Sequence, residues 1–174
     1  MYTGPKLTNS NLVFGYDTGY GAADIETSTR FYKGKPTVNY VTDADTMSGW
    51  NSYSAGNDGT FTTKFGTTGY KITNRASWNG LYRGVNVPAT GTYTFSAWFK
   101  YLGGSSDNNG ATVYVSGYGS GDTVTNIDKS KVGEWQRIEK TVNVTDTDLN
   151  FYFYLISYGG TNAVSSWEVT MPQV

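Results

Sequence analysis

The sequence contains no cysteine and no histidine. The first absence excludes disulfides and thiolate chemistry, and the second removes the usual proton-transfer base at neutral pH. Zinc is excluded for practical purposes, because carboxylates alone do not make a typical zinc site. Calcium, an ion of carboxylate and carbonyl oxygens, remains allowed. The lack of cysteine does not fix a compartment, since disulfide-free extracellular folds and cytosolic proteins look alike in this respect. Charge is scarce as well: 13 Lys plus Arg stand against 14 Asp plus Glu, 16% charged residues where about 25% is typical. The one basic cluster is Arg30, Lys33 and Lys35, which argues against a nucleic-acid partner, since such binding needs a basic face. The longest apolar run, residues 151–156, is far shorter than the roughly 20 residues of a membrane helix. No charged-then-apolar leader opens the chain, so membrane insertion is not expected.

What is present is glycine and aromatic side chain: 22 Gly, and 16% Phe, Trp and Tyr, of which 15 are Tyr. That pairing suggests tight turns between aromatic-rich strands. A chain of 174 residues fits one domain and is long enough to bury a substantial core without metals or disulfides. Residues 1–42 are polar and turn-rich with isolated aromatics. They read as an extended leader, or as an N-terminal arm of the same domain, with short strands at 11–16 and 37–41. The body, residues 43–174, is punctuated by turn clusters such as GNDG at 56–59, GGSSDNNG at 103–110, GYGSGD at 117–122 and YGGTN at 158–162. Strand-sized intervals between such clusters predict a two-sheet sandwich or a barrel. Only residues 43–48 and 126–131 offer room for a helical turn, each too short for a persuasive helix.

Alternation of period two is clear at 92–101, 112–118 and 150–156, and it divides each strand into two faces. The inward sets are Tyr93, Phe95, Ala97 and Phe99; Val113, Val115 and Gly117; and Phe151, Phe153 and Leu155. The outward sets include Trp98 on the first strand, Tyr114 and Tyr118 on the second, and Tyr152, Tyr154 and Ile156 on the third. Aromatics gathered on one outward face mark a contact site, so Trp98 is expected within reach of Tyr114, Tyr152 or Tyr154. Whether that face is open or covered by another chain or the leader is not readable from the sequence. Trp50, Trp78 and Tyr82 lie in polar, glycine-bounded stretches and read either as rim packing or as ligand contacts. Trp135, Trp167, Phe95, Phe99, Phe151 and Phe153 are most simply core.

The stretches GTYTFSAWFKY (91–101), VGEWQRIEKTVNVT (132–145) and WEVTMPQV (167–174), in this order, resemble carbohydrate-binding-module-type jelly-roll domains. FYKGKPTVNYV at 31–41 is similar to a phrase that precedes such domains in the tail-fibre-like virion proteins of tailed phages. The resemblance covers about residues 31–174. It implies an all-β, two-sheet antiparallel jelly-roll sandwich used for adhesion, placed on the virion and outside the cell, with a cell-surface glycan and other virion subunits as partners and a homo-oligomeric state. In those relatives the last strand runs on with a Glu and further chain, whereas here it stops at Val174, so a piece of a longer polypeptide is expected. The resemblance also implies a structural calcium at the rim in many members. No dense Asp/Asn string lies near the terminal strand, and Asp43, Asp45 and Asp58 are the acids placed near a rim. No cofactor is required for folding on this reading.

Catalysis is disfavoured by inventory. Glycoside hydrolysis needs only two carboxylates, but many of the acids fall in turns (Asp58, Asp107, Asp122, Asp146 and Asp148), where Asp usually caps backbone groups. Glu139 and Glu168 sit on strands and Glu134 at the start of one. The expected function is therefore a non-catalytic carbohydrate-binding module of a phage virion, with Trp98, Tyr114, Tyr152, Tyr154, Trp78, Tyr82 and Trp50 as its ligand contacts. A structural virion protein, a decoration or fibre subunit whose aromatic face is an oligomer interface, is the alternative. A polysaccharide hydrolase or lyase comes third.

Overall fold

The structure, a computed structural model, describes residues 39–54, 58–117, 123–147, 151–160 and 163–174, with the backbone alone for Asn108 and Thr123. The sequence alternations become ten strands: β1 (Asn51–Tyr53), β2 (Thr60–Thr62), β3 (Thr68–Ala76), β4 (Gly80–Val85), β5 (Gly91–Gly104), β6 (Asn108–Ser116), β7 (Thr123–Asn126), β8 (Trp135–Val144), β9 (Phe151–Gly159) and β10 (Val164–Gln173). All pairings are antiparallel. They form two five-stranded sheets, ordered β1-β4-β9-β6-β7 and β2-β3-β10-β5-β8. This is the jelly-roll sandwich that the sequence predicts. No described residue is helical; residues 42–49 form turns, and the 126–131 stretch ends a strand and then turns. The expected strand at 11–16 and residues 37–38 of that expected at 37–41 lie outside the described residues; residues 39–41 are described and form no strand.

The inward faces close on each other. Phe95, Ala97 and Phe99 of β5 share one buried cluster with Phe151, Phe153 and Leu155 of β9, joined by Ile72, Val113, Val115, Trp167 and Val169. Phe153 sits near the middle of this core. Its ring centroid is 5.3 Å from those of both Phe95 and Trp50, edge-on to each. Full burial of one such side chain is worth about 1.5–3 kcal/mol, and a T-shaped ring pair adds about 0.5–1.5 kcal/mol.

Residues 39–42, expected in the leader, pack on the end of β10. The Tyr40 N–H donates to the Val174 carbonyl at 3.0 Å, the Asn39 side-chain oxygen accepts from the N–H groups of Val41 and Val174, and Val41 is buried.

Candidate aromatic binding face

The first sheet turns its odd-numbered β9 residues into the core and its even-numbered ones outward. Antiparallel partners share a face, so the register places Tyr82 of β4 and Tyr114 of β6 on either side of Tyr154. Tyr152 and Tyr158 extend the same row along β9, and Tyr53 joins through β1, whose Asn51 pairs with Tyr82. Tyr154 is the hub. Its ring lies 5.2 Å from Tyr53, 5.3 Å from Tyr114, 5.9 Å from Tyr82 and 6.1 Å from Tyr152. The Tyr82 and Tyr154 rings are stacked, 25° from parallel, while the others meet edge-on or tilted.

Trp78 completes the row from the turn before β4. Its ring stands edge-on to Tyr114 and to Tyr158, with both centroids 5.2 Å away. The backbone carries it there in a left-handed conformation, φ 65°, which is a costly state for a bulky residue. The surrounding hydrogen bonds hold it. The Trp78 N–H donates to the Ser157 carbonyl at 2.8 Å, the Ser157 N–H donates to the Asn79 carbonyl at 2.9 Å, and the Asn79 amide donates to the carbonyls of Ala76 and Ser77.

The seven rings form a layer above the strands and not a scatter of exposed side chains. Tyr114 is only 8% exposed and Ile156, of the same outward parity, is buried, whereas Trp78 is 40% and Tyr152 37% exposed. Between Tyr152 and the sheet edge the register puts Gly84, where an added Cβ would meet nothing within 4 Å. One flank of Tyr152 is therefore an open shelf. The other outward residues of these strands are Asn51, Thr112, Ser116, Val124 and Asn126, besides glycines and Ile156. None of the described strand residues on this face carries a charge. Such a surface offers apolar ring faces with hydroxyl and amide groups that both donate and accept.

Five of the seven sequence-predicted ligand residues, Trp78, Tyr82, Tyr114, Tyr152 and Tyr154, are brought together here. Two are not. Trp98 points outward as its parity requires, but β5 lies in the second sheet between β10 and β8, so Trp98 is on the opposite side of the sandwich from Tyr114, Tyr152 and Tyr154. Trp50 faces inward and is 7% exposed against Phe153. Trp135, expected in the core, pairs with Lys100 and lies half-buried on the outer face of the second sheet beside Phe65. Tyr53 and Tyr158 are contributors that the sequence reading did not single out; Tyr118 lies outside the described residues.

The rim acids do not assemble. Asp58 is 2.7 Å from the Arg75 guanidinium, and a hydrogen bond from Thr73, reinforced by that charge, holds its carboxyl below the usual range. Asp43 faces Arg83 at 3.8 Å, and Asp45 is exposed. Among the described residues no three Asp or Glu side chains come together as a metal-ligand group.

Residues 35–162 match a protein family described as a carbohydrate binding domain. Similar solved structures include TmCBM61 in complex with β-1,4-galactotriose, 15% identical over 79% of this chain and 97% of that chain, with a TM-score of 0.53. The CBM22-1 xylan-binding domain from Paenibacillus barcinonensis is 15% identical over 78% of this chain and 90% of its own, with a TM-score of 0.50. The enzymatically active domain of tailspike protein 4 from bacteriophage CBA120 is 8% identical over 78% of this chain and 21% of that one, with a TM-score of 0.56. At such identities the likeness is one of fold. No curated protein sequence matches the chain.

Proposed function

The chain belongs to the carbohydrate binding domain family, and we propose that its ligand site is the seven-ring outer face of the first sheet. One observation carries this assignment: Tyr53, Trp78, Tyr82, Tyr114, Tyr152, Tyr154 and Tyr158 form one continuous chain of ring contacts on a face whose described strand residues are uncharged. Pyranose rings present apolar faces and a rim of hydroxyls. An aromatic layer stacks on the former, while Asn51, Asn126, Ser116 and the phenol groups read the latter. The ligand is therefore a neutral segment of a glycan, bound without cleavage. On the described strands, Glu139 pairs with Arg137 and Glu168 with Lys100, which supports a binding role over one for two opposed catalytic carboxylates.

The setting is the outer surface of a tailed-phage virion, outside the cell. There the module contacts a host-surface glycan and other virion subunits as a homo-oligomer. The phrase FYKGKPTVNYV at 31–41 supports this setting, and a phage tailspike domain of the same fold is consistent with it. A glycan array with the full chain and its Tyr152→Ala variant tests the reading. Retention of neutral glycans by the wild type and their loss in the variant supports it; equal retention by both places the site elsewhere. Reducing-end release from a retained glycan would replace the binding role with hydrolysis.

A further inference from the structure

The second sheet has an aromatic face of its own, of different chemistry. We propose that it is a second saccharide site, selective for carboxylate-bearing sugars. The turn between β2 and β3 folds back over the sheet. Within it the Thr63 N–H donates to the Thr67 carbonyl at 2.8 Å, the Thr63 and Thr67 hydroxyls are 2.7 Å apart, and Thr67 Oγ1 lies 2.9 Å from Thr170 Oγ1 on β10. The Thr63 hydroxyl also accepts from the Phe65 N–H. This turn presents Phe65, 48% exposed, with its ring 6.5 Å from Trp98 and 6.3 Å from Trp135. Phe61 lies over Gly69, where an added Cβ would come within 2.8 Å of its ring, and so carries the apolar surface toward the sheet edge.

Cations surround these rings, in contrast to the first face. Lys64 Nζ is 5.1 Å from the Phe65 centroid and Lys100 Nζ 5.3 Å from that of Trp135. Lys71 pairs across the ladder with Glu168, and Arg137 with Trp98. Both acids of the face are occupied: Glu168 by Lys100 at 2.6 Å, and Glu139 by Arg137. Among the described residues these four cations stand against the two strand carboxylates, and Asp58 at the sheet edge is matched by Arg75, which leaves a surplus of two positive charges beside a ring platform. A sugar ring stacked on Trp98 and Phe65 would carry its carboxylate to Lys64 and Lys71. A symmetric pairing of two such faces would instead oppose like surplus charges, which disfavours a second copy of this chain as the occupant.

The inference rests on the carbohydrate reading of the fold but uses the opposite surface, so the two can fail separately. Trigalacturonate and its methyl-esterified, uncharged counterpart are titrated into the full chain at low and at 0.5 M salt. The expected result is binding of the acid form only, weakened about tenfold or more by Trp98→Ala, severalfold by Lys64→Ala and by salt, and unchanged by Tyr152→Ala. Loss of trigalacturonate binding in Tyr152→Ala, or equal binding of the ester, would overturn the second site and leave the first intact. Absence of trigalacturonate binding together with a lower solution mass for Trp98→Ala would overturn it in favour of a subunit interface. A chain that bound neither trigalacturonate nor any neutral glycan would remove the carbohydrate reading itself.

Discussion

The Trp78 ring stands edge-on to that of Tyr114, centroids 5.2 Å apart, and it does so from a backbone whose φ is 65°. A left-handed conformation costs a non-glycine residue roughly 1–2 kcal/mol, so the turn is held against its own preference by the hydrogen bonds to Ser157 and within Asn79. Two substitutions separate backbone from ring. Trp78→Gly relieves the strain while losing two ring contacts of about 0.5–1.5 kcal/mol each, so its unfolding free energy should stay within about 1.5 kcal/mol of wild type. Trp78→Ala keeps the strain, loses the ring and should be the less stable of the two. Both should weaken neutral-glycan binding tenfold or more, about 1.4 kcal/mol. Denaturant melts beside calorimetric titrations check this.

Gly84 and Gly80 make a second contrast on the same strand. At Gly84 an added side chain meets open space, and Gly84→Trp should leave the fold intact while filling the shelf beside Tyr152 and lowering glycan affinity. At Gly80 a Cβ would press into the Leu155 carbonyl and the Ile156 backbone, from a φ of +152°. Backbone cannot yield as a side chain can, so Gly80→Ala should cost about 2–3 kcal/mol, the upper part of the usual overpacking range. Equal stability of the two variants in a urea titration would contradict the register of β4 on β9.

In the core, Phe153→Ala should cost about 3–5 kcal/mol, because the ring is fully buried between Phe95 and Trp50. A loss below about 1 kcal/mol would mean that Phe153 is not part of a close-packed interior. Removal of divalent ions with a chelator should leave the thermal midpoint unchanged, since the buried cluster spans both sheets and no described acid group gathers for a metal.

Acid stability follows from two turn aspartates. Hydrogen bonding from Thr73 lowers the pKa of Asp58, and hydrogen bonding from Ser130 lowers that of Asp128. A carboxyl whose folded pKa is depressed contributes stability above its unfolded value, and that contribution disappears as pH falls through the folded one. Asp58→Asn should therefore reduce stability at neutral pH by no more than about 1 kcal/mol, the scale of a solvent-screened pair. The difference from wild type should vanish in strong acid. A difference that grew on acidification would reverse the sign of the argument.

The inward residues were legible in the sequence because alternation is local: Phe95, Ala97 and Phe99 of β5 and Phe151, Phe153 and Leu155 of β9 are buried, with Tyr93 half-buried at the start of β5. The assignment of outward residues to one side or the other was not, since period two says which way a side chain points relative to its own sheet and nothing about which sheet that is. Trp98 shows the limit. It is outward, as read, but the pairing of β5 with β10 and β8 is a long-range choice, and it places Trp98 away from Tyr154. Trp135 was readable in part. Ile138, Val142 and Val144 set the inward parity of β8, which puts Trp135 outside with Arg137 and Glu139. Tyr158 continues the parity of Tyr152 and Tyr154 two residues beyond the expected end of the strand, whereas Trp50 and Tyr53 sit in a polar stretch whose short β1 shows too little alternation to assign.

On the proposed reading, Tyr154 and the rings around it form the glycan-contacting surface. Nuclear magnetic resonance mapping of the full chain tests it directly, using aromatic side-chain and backbone signals during titration with the neutral glycans retained on the array. The account predicts saturable shifts at Tyr53, Trp78, Tyr82, Tyr152, Tyr154 and Tyr158, with Trp98 and Trp135 unmoved. Shifts confined to Trp98, Phe65 and Trp135, or no shift with any neutral glycan, would contradict it.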